Sequence, residues 1–132
     1  MSISLRAAFP IVYCEDLTRT LAFYRDQLGF EVVFAFPTEG EPGFVSLKLG
    51  GSELALADVA GQDTGTHGLP VRPIGGHRFE LCLHAEDVDA AVTALRDAGV
   101  PVLLDPADQP WGERLAYVED PEGNPVMLYA EG

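Results

Sequence analysis

The chain carries the same run of landmarks twice, and this constrains its fold more than any other feature. Asp16-Leu17 through Arg25-Asp26 recurs as Asp87-Val88 through Arg96-Asp97, at a constant offset of 71 residues. In each copy a β-like run leads into Asp-aliphatic, then an amphipathic helix, a glycine (Gly29, Gly99) and a second strand. Further on the offset becomes 72, which lays Gly51-Ser52-Glu53-Leu54-Ala55-Leu56 over Gly123-Asn124-Pro125-Val126-Met127-Leu128. A unit longer than ordinary solenoid repeats, present twice, implies two fused copies of one supersecondary module. The offset is also a ruler: a site residue in one copy predicts its counterpart in the other.

At 132 residues the chain is long enough for one buried core and too short for two independent domains. An apolar content of 47% suits a globular chain. No run approaches the roughly 20 apolar residues that span a bilayer. The N-terminus lacks the basic-then-apolar pattern of a signal peptide, so a cytoplasmic location is expected. Cys14 and Cys82 fit a reduced protein; Cys14 maps onto Ala85, so the two are not repeat partners and a disulfide is not expected. A formal net charge of −13 repels nucleic acid and anionic membranes, and neither is expected as a partner, whereas a cationic ligand is favoured.

Ala8 to Cys14 reads as a strand. Asp16 caps the next helix, because a short carboxylate satisfies free N–H groups at the positive helix end. Leu17, Leu21, Tyr24 and Leu28, with Phe23 beside them, form its apolar stripe. Gly29 stops it, and Phe30 to Phe36 is the next strand. Phe44 to Leu49 and Glu53 to Asp58 make a hairpin about Gly50-Gly51. Val59 to Gly76 is rich in Gly, Pro and polar residues, a linker and candidate flap. The second copy follows: strand Arg78 to Ala85, helix Asp87 to Ala98, strand Val100 to Leu104, a loop through Pro110-Trp111-Gly112, and hairpin strands Arg114 to Glu119 and Asn124 to Tyr129. Asp120-Pro121-Glu122-Gly123-Asn124 has turn chemistry at every position. The order βαβββ, twice, predicts an α+β fold with a helix on one face of each sheet, leaving the other face free to line a cavity.

These residues resemble the vicinal oxygen chelate superfamily, which holds glyoxalase I, extradiol dioxygenases, fosfomycin-resistance transferases and bleomycin-resistance proteins. The likeness spans nearly the whole chain. It rests on Asp16-Leu17 through Phe23-Tyr24-Arg25 and Leu28-Gly29-Phe30 in the first copy. In the second it rests on Asp87-Val88-Asp89-Ala90-Ala91, Ala98-Gly99-Val100, Pro110-Trp111-Gly112 and Asp120-Pro121-Glu122-Gly123-Asn124. It implies one domain over 1–132, with curled mixed sheets around a cleft: module 1 at about 5–58, linker 59–76, module 2 at about 77–132. Trp111-Gly112-Glu113-Arg114 and Pro10 are similar to the bleomycin-resistance, antibiotic-binding branch. That branch implies an isologous homodimer with N-terminal strand exchange at Pro10.

Metal-dependent members of the superfamily carry His or Glu on the first and fourth strand of each module. Those positions map here to Phe9, Ala55, Glu80 and Met127. Phe and Ala cannot ligate and a thioether is a poor ligand for hard ions. A catalytic site needs about three N/O ligands, so no metal and no other cofactor is expected. A substitute built from Glu80, Cys82 and His84 is strained, since Cα atoms at i and i+4 of a strand lie roughly 13 Å apart. Glu53 or His77 would complete it only in a shifted register. No nucleophile elbow or phosphate loop is present, and nothing cationic is fixed beside Cys82 to activate its thiol.

The expected pocket is therefore aromatic and apolar with one acidic position. Phe9, Ile11 and Tyr13 share a face of the first strand, and Glu80, Cys82 and His84 that of its mate. Phe34, Phe36, Ala55, Trp111 and Met127 complete the ligand-binding set. Flat rings would stack on Trp111 or Phe36, and Glu80 would meet a ligand cation. The reading is a metal-independent protein that binds a bulky aromatic or cationic natural product and confers resistance by sequestration, with no catalytic residue. Its rivals are a metal-dependent lyase, isomerase or dioxygenase, and a metal-free biosynthetic enzyme using Glu80 as acid or base.

Overall fold

In the computed structural model, residues 4, 7–59 and 79–131 are described. The expected linker therefore lies outside the described residues except for Val59, as do the candidate flap, His77 and Arg78. The chain divides into two compact units, each carrying one module.

Module 1 runs β1 (Ile11–Cys14), α1 (Leu17–Ala22), a π-helical turn (Phe23–Gln27), β2 (Glu31–Phe36), β3 (Phe44–Leu49) and β4 (Ser52–Asp58). Its sheet has the order β1-β4-β3-β2, parallel between β1 and β4 and antiparallel elsewhere. Module 2 repeats the plan with β5 (Leu81–His84), α2 (Val88–Asp97), β6 (Val102–Asp108), β7 (Glu113–Glu119) and β8 (Pro125–Glu131), ordered β5-β8-β7-β6. The α+β, twice-βαβββ expectation holds. So does the ruler: Ile11 pairs with Ala55 in module 1 and Cys82 with Met127 in module 2.

Each helix starts on the predicted aspartate. Asp16 Oδ1 accepts the Arg19 N–H and Asp87 Oδ1 accepts the Ala90 N–H, both at 3.0 Å. Alternation then sorts each sheet into two faces. Val12, Cys14, Val45, Leu47, Leu54 and Leu56 are buried beneath α1 and the π turn. In module 2, Val88, Val92 and Leu95 of α2 pack over Ala116, Val118, Val126 and Leu128.

β1 and β5 begin at Ile11 and Leu81, so Phe9 and Glu80, expected within these strands, stand just ahead of them; two further elements depart from expectation. The first helix leaves the α pattern at Phe23, and the Leu28 N–H donates to the Phe23 carbonyl at 3.1 Å, five residues back. The wider turn buries Phe23 and Tyr24 together, ring centroids 5.0 Å apart, with Phe30 5.6 Å from Tyr24. Leu21 and Leu28, expected in the stripe, are only half-buried, and Thr20 is buried instead. Its hydroxyl donates to the Asp16 carbonyl at 2.8 Å. The second departure is β6, which runs to Asp108 rather than ending at Leu104. It is an edge strand, and Pro106 sits where the register shifts between Leu104 and Ala107. A proline with no N–H is tolerated at such a place.

Cys14 and Cys82 are free thiols, the first buried and the second exposed. Among the described residues no helix is long and apolar enough to cross a membrane.

Candidate ligand-binding faces

The side of each sheet away from its helix carries the site residues predicted on the strands, while Phe9 lies just before β1 and Trp111 in the turn between β6 and β7. Because ladder partners share a face, the registers assign the neighbours. In module 1, Ile11 lies beside Ala55, Ala55 beside Ser46, and Ser46 beside Phe34; Tyr13 lies beside Ala57 and Phe36 beside Phe44. Phe9, Phe34 and Phe36 are each about half exposed, at 50%, 50% and 51%. They are thus surface aromatics and not core. Phe44 stands 6.3 Å from Phe34, ring to ring. Ala55 is fully covered by its neighbours, so it forms the floor of this face. The module 1 face is apolar and aromatic around Ala55, with Ser46 as a small polar break, and it ends in a charged cluster where Lys48 lies beside Glu53 and Glu31.

The module 2 face has the same geometry and different chemistry. Glu80 Oε1 accepts the Tyr117 hydroxyl at 3.1 Å and the Cys82 thiol at 3.7 Å. Partial burial, followed by the Glu80 carboxylate, raises the pKa of both donors above their ordinary values. Phenol and thiol therefore stay protonated and keep donating, and Cys82 is a poor nucleophile here. Met127 lies between them in register, paired with Cys82 on one side and Tyr117 on the other. At the far end of β5, His84 Nε2 sits 3.0 Å from Glu131 Oε2 and its ring meets Tyr129 edge-on at 5.4 Å. The hydrogen bond from His84 holds the Glu131 carboxyl below its usual range.

Trp111 is 65% exposed, the most exposed large apolar side chain among the described residues. Its ring is nonetheless held, because Nε1–H donates to Glu113 Oε1 at 2.7 Å. Glu113 lies directly opposite Glu131 across β7 and β8. Basic side chains of this module sit elsewhere: Arg114 forks onto Asp89 and reaches Asp108, and Arg96 pairs with Asp105. Among the described residues this face thus carries Glu80, Glu113, Glu119 and Glu131 and no Lys or Arg.

The donor set does not fit the metal that some members of the resembled superfamily hold. Phe9 and Ala55 have no donor atom, Met127 offers only sulfur, and Glu80 already serves two donors. Among the described residues no three or more His, Cys, Asp or Glu side chains are grouped so as to hold an ion. Glu80, Cys82 and Met127 do come together, and His84 is drawn instead to Glu131 and Tyr129. The sequence reading missed Tyr117, Tyr129, Glu113, Glu131 and Phe44. Pairing the predicted hairpin strands Arg114 to Glu119 and Asn124 to Tyr129 end to end places Tyr117 opposite Val126, one residue short of its observed partner Met127, so the predicted strand ends alone do not bring Tyr117 onto this face.

Residues 6–128 match the family model described as the Glyoxalase/Bleomycin resistance protein/Dioxygenase superfamily. A glyoxalase/bleomycin resistance protein/dioxygenase from Nocardioides superposes with a TM-score of 0.75 at 25% identity, covering 98% of this chain and 86% of that one. A lactoylglutathione lyase from Agrobacterium tumefaciens gives 0.71 at 28% identity, covering 96% and 94%. The mitochondrial methylmalonyl-CoA epimerase of Mus musculus is 30% identical over 94 residues, 70% of this chain and 52% of that protein.

Proposed function

The chain belongs to the Glyoxalase/Bleomycin resistance protein/Dioxygenase superfamily, and from that premise we propose that it binds a flat, cationic natural product without metal and confers resistance by sequestering it. The observation that carries this reading is the held, exposed Trp111 ring on a face with four carboxylates and no described Lys or Arg. An indole face takes flat rings and cations together, and Glu80, Glu113, Glu119 and Glu131 favour positive charge. The names of two relatives point to coenzyme A and glutathione thioesters, which are anionic. A face of this charge opposes such substrates. Met127, adaptable in shape, suits a bulky ligand.

Titration of Trp111 fluorescence with bleomycin-like, anthracycline-like and quinone antibiotics tests the proposal. Saturable quenching near one ligand per chain is expected from at least one class, and flat responses across all three would sink it. The homodimer with exchange at Pro10 belongs to the same proposal, and sedimentation of a single chain at micromolar concentration counts against it.

One feature favours a second reading, a metal-free enzyme. Glu80 is oriented by two protonated donors, as a positioned general base is. Glu80→Gln separates the two. Under sequestration the substitution weakens binding modestly, and under catalysis it abolishes turnover while leaving binding largely intact.

A further inference from the structure

We infer that Arg114, on the opposite side of β7 from the ligand face, is the positioning residue that holds Trp111 ready for its ligand; this rests on the proposed role of Trp111. Trp111 stands in the turn between β6 and β7, and that end of the sheet is weakly tied. β6 has β7 as its one neighbour, and their ladder slips twice, between Val102 and Leu104 and between Leu104 and Ala107. The last register pair before the turn is Asp108 with Arg114. Arg114 closes it with side chains as well, Nη1 donating to Asp108 Oδ1 at 3.1 Å.

The remaining two donors fix the arginine itself. Nε and Nη2 grip both oxygens of Asp89, in the first turn of α2, at 2.7 and 2.8 Å. A forked, bidentate contact sets orientation as well as distance. The guanidinium thus joins three places: the start of α2, the end of β6 and the start of β7. Between Asp108 and Arg114 the turn is closed by Gln109 N–H to the Glu113 carbonyl at 2.7 Å and Gly112 N–H to the Gln109 carbonyl at 3.0 Å. Gly112 takes φ +97°, which a residue with a Cβ rarely adopts. Glu113, next to Arg114, then holds the indole N–H. Orientation passes from α2 through Arg114 to the strand end, and from Glu113 to the ring. A ligand meeting a ring already in place avoids the entropy of ordering it.

Trp111 is the chain's one tryptophan, so its fluorescence anisotropy reads the ring without any ligand. Arg114→Met is expected to keep the helix and sheet signals of circular dichroism, lower the Trp111 anisotropy and increase its quenching by acrylamide. Its affinity for a bound anthracycline probe, doxorubicin, falls about threefold to tenfold, the cost of ordering one side chain on binding. Glu113→Ala, which frees the indole directly, sets the size of the anisotropy change. Asp108→Asn spares the Asp89 fork and weakens only the hairpin end, so it decides the matter if Arg114→Met does not fold. A folded Arg114→Met or Asp108→Asn protein with parental anisotropy overturns the inference. Failure of doxorubicin to bind the parent protein, with anisotropy responding as expected, counts against the proposed ligand and leaves the positioning role supported.

Discussion

Asp120→Ala tests the turn that sets the two central strands of module 2 against each other. Asp120 is 2% exposed. Its Oδ1 accepts the Glu122 and Asn124 N–H groups at 2.9 and 2.8 Å, and Oδ2 accepts the Asn124 side-chain amide at 3.0 Å. Hydrogen bonds to a charged acceptor contribute about 1.5 kcal/mol each at the low end of their range. Three would give about 4.5 kcal/mol, and releasing a carboxylate from its buried place offsets part of that. A net loss of about 3 kcal/mol remains. With an unfolding entropy of about 2.1 cal/mol/K per residue, the 132-residue chain should lose about 11 °C in Tm. Urea unfolding followed by circular dichroism should show the midpoint falling with an unchanged slope. Asp120→Asn keeps one oxygen for the two backbone donors and should lose about 1 kcal/mol. A loss below about 1 kcal/mol for the alanine variant would refute the reasoning, because the turn would then be held by its backbone bonds alone. The consequence reaches the ligand face, since Tyr117 on β7 and Met127 on β8 meet through this turn.

Alkylation by iodoacetamide should report Cys82 alone, because Cys14 is buried. The carboxylate of Glu80 helps hold the Cys82 thiol protonated, so Glu80→Gln lowers the thiol pKa and speeds the reaction several-fold near pH 8; an unchanged rate contradicts this. Gly99 has φ +87° and open space where a Cβ would stand, so Gly99→Ala should cost only the backbone strain, about 1 kcal/mol or about 4 °C in Tm. A much larger loss would mean that the space is not open. Arg114 holds the Asp89 carboxyl below its ordinary value. A depressed carboxyl contributes stability that is full above its unfolded pKa and lost as pH falls through the folded one. The stability gap between parent and Asp89→Asn should therefore be constant at neutral pH and close below about pH 4, and a gap independent of pH down to acid unfolding would dismiss the ion pair as its source.

The fold was legible because its determinants are local and occur twice. Asp16 and Asp87 announce the helices, Gly29 and Gly99 end them, and the shift of offset from 71 to 72 anticipated the observed pairing of Ile11 with Ala55 and Cys82 with Met127. The π turn at Phe23–Gln27 was not legible, since α and π windings share the same side-chain preferences and the choice is made by packing Phe23 and Tyr24 together. Edge strand β6 continues past its expected end at Leu104 because Pro106, which lacks an N–H, is tolerated on an edge where the ladder shifts register, a property set by its place in the sheet and not by its local sequence. Of the site, the alternation that puts Phe9, Ile11 and Tyr13, or Glu80, Cys82 and His84, on one face is a local property. The partners that give those residues their chemistry are not: Tyr117 is 37 residues from Glu80 and Glu131 is 47 from His84.

The two copies have kept one side of the sheet and changed the other, and the contrast locates the chemistry. On the helix side the counterparts remain apolar: Val12 and Leu83, Leu56 and Leu128, Val45 and Ala116. Each has to fill space beneath a helix, where polar atoms would need partners. On the ligand face Phe9 stands against Glu80, Ile11 against Cys82, Tyr13 against His84 and Ala55 against Met127. Nothing in the fold requires that difference, since module 1 forms the same ladder with apolar residues in those places. Residues that differ between copies while the backbone does not are free of the fold's demands, which makes this side of each sheet the place where a function can be set independently of the scaffold. The asymmetry also bears on the ancestral metal positions. At the positions where metal-dependent relatives of the resembled superfamily carry His or Glu, module 1 has Phe9 and Ala55, which offer no donor atom, and module 2 keeps one carboxylate, Glu80, already engaged by the Cys82 thiol and the Tyr117 hydroxyl.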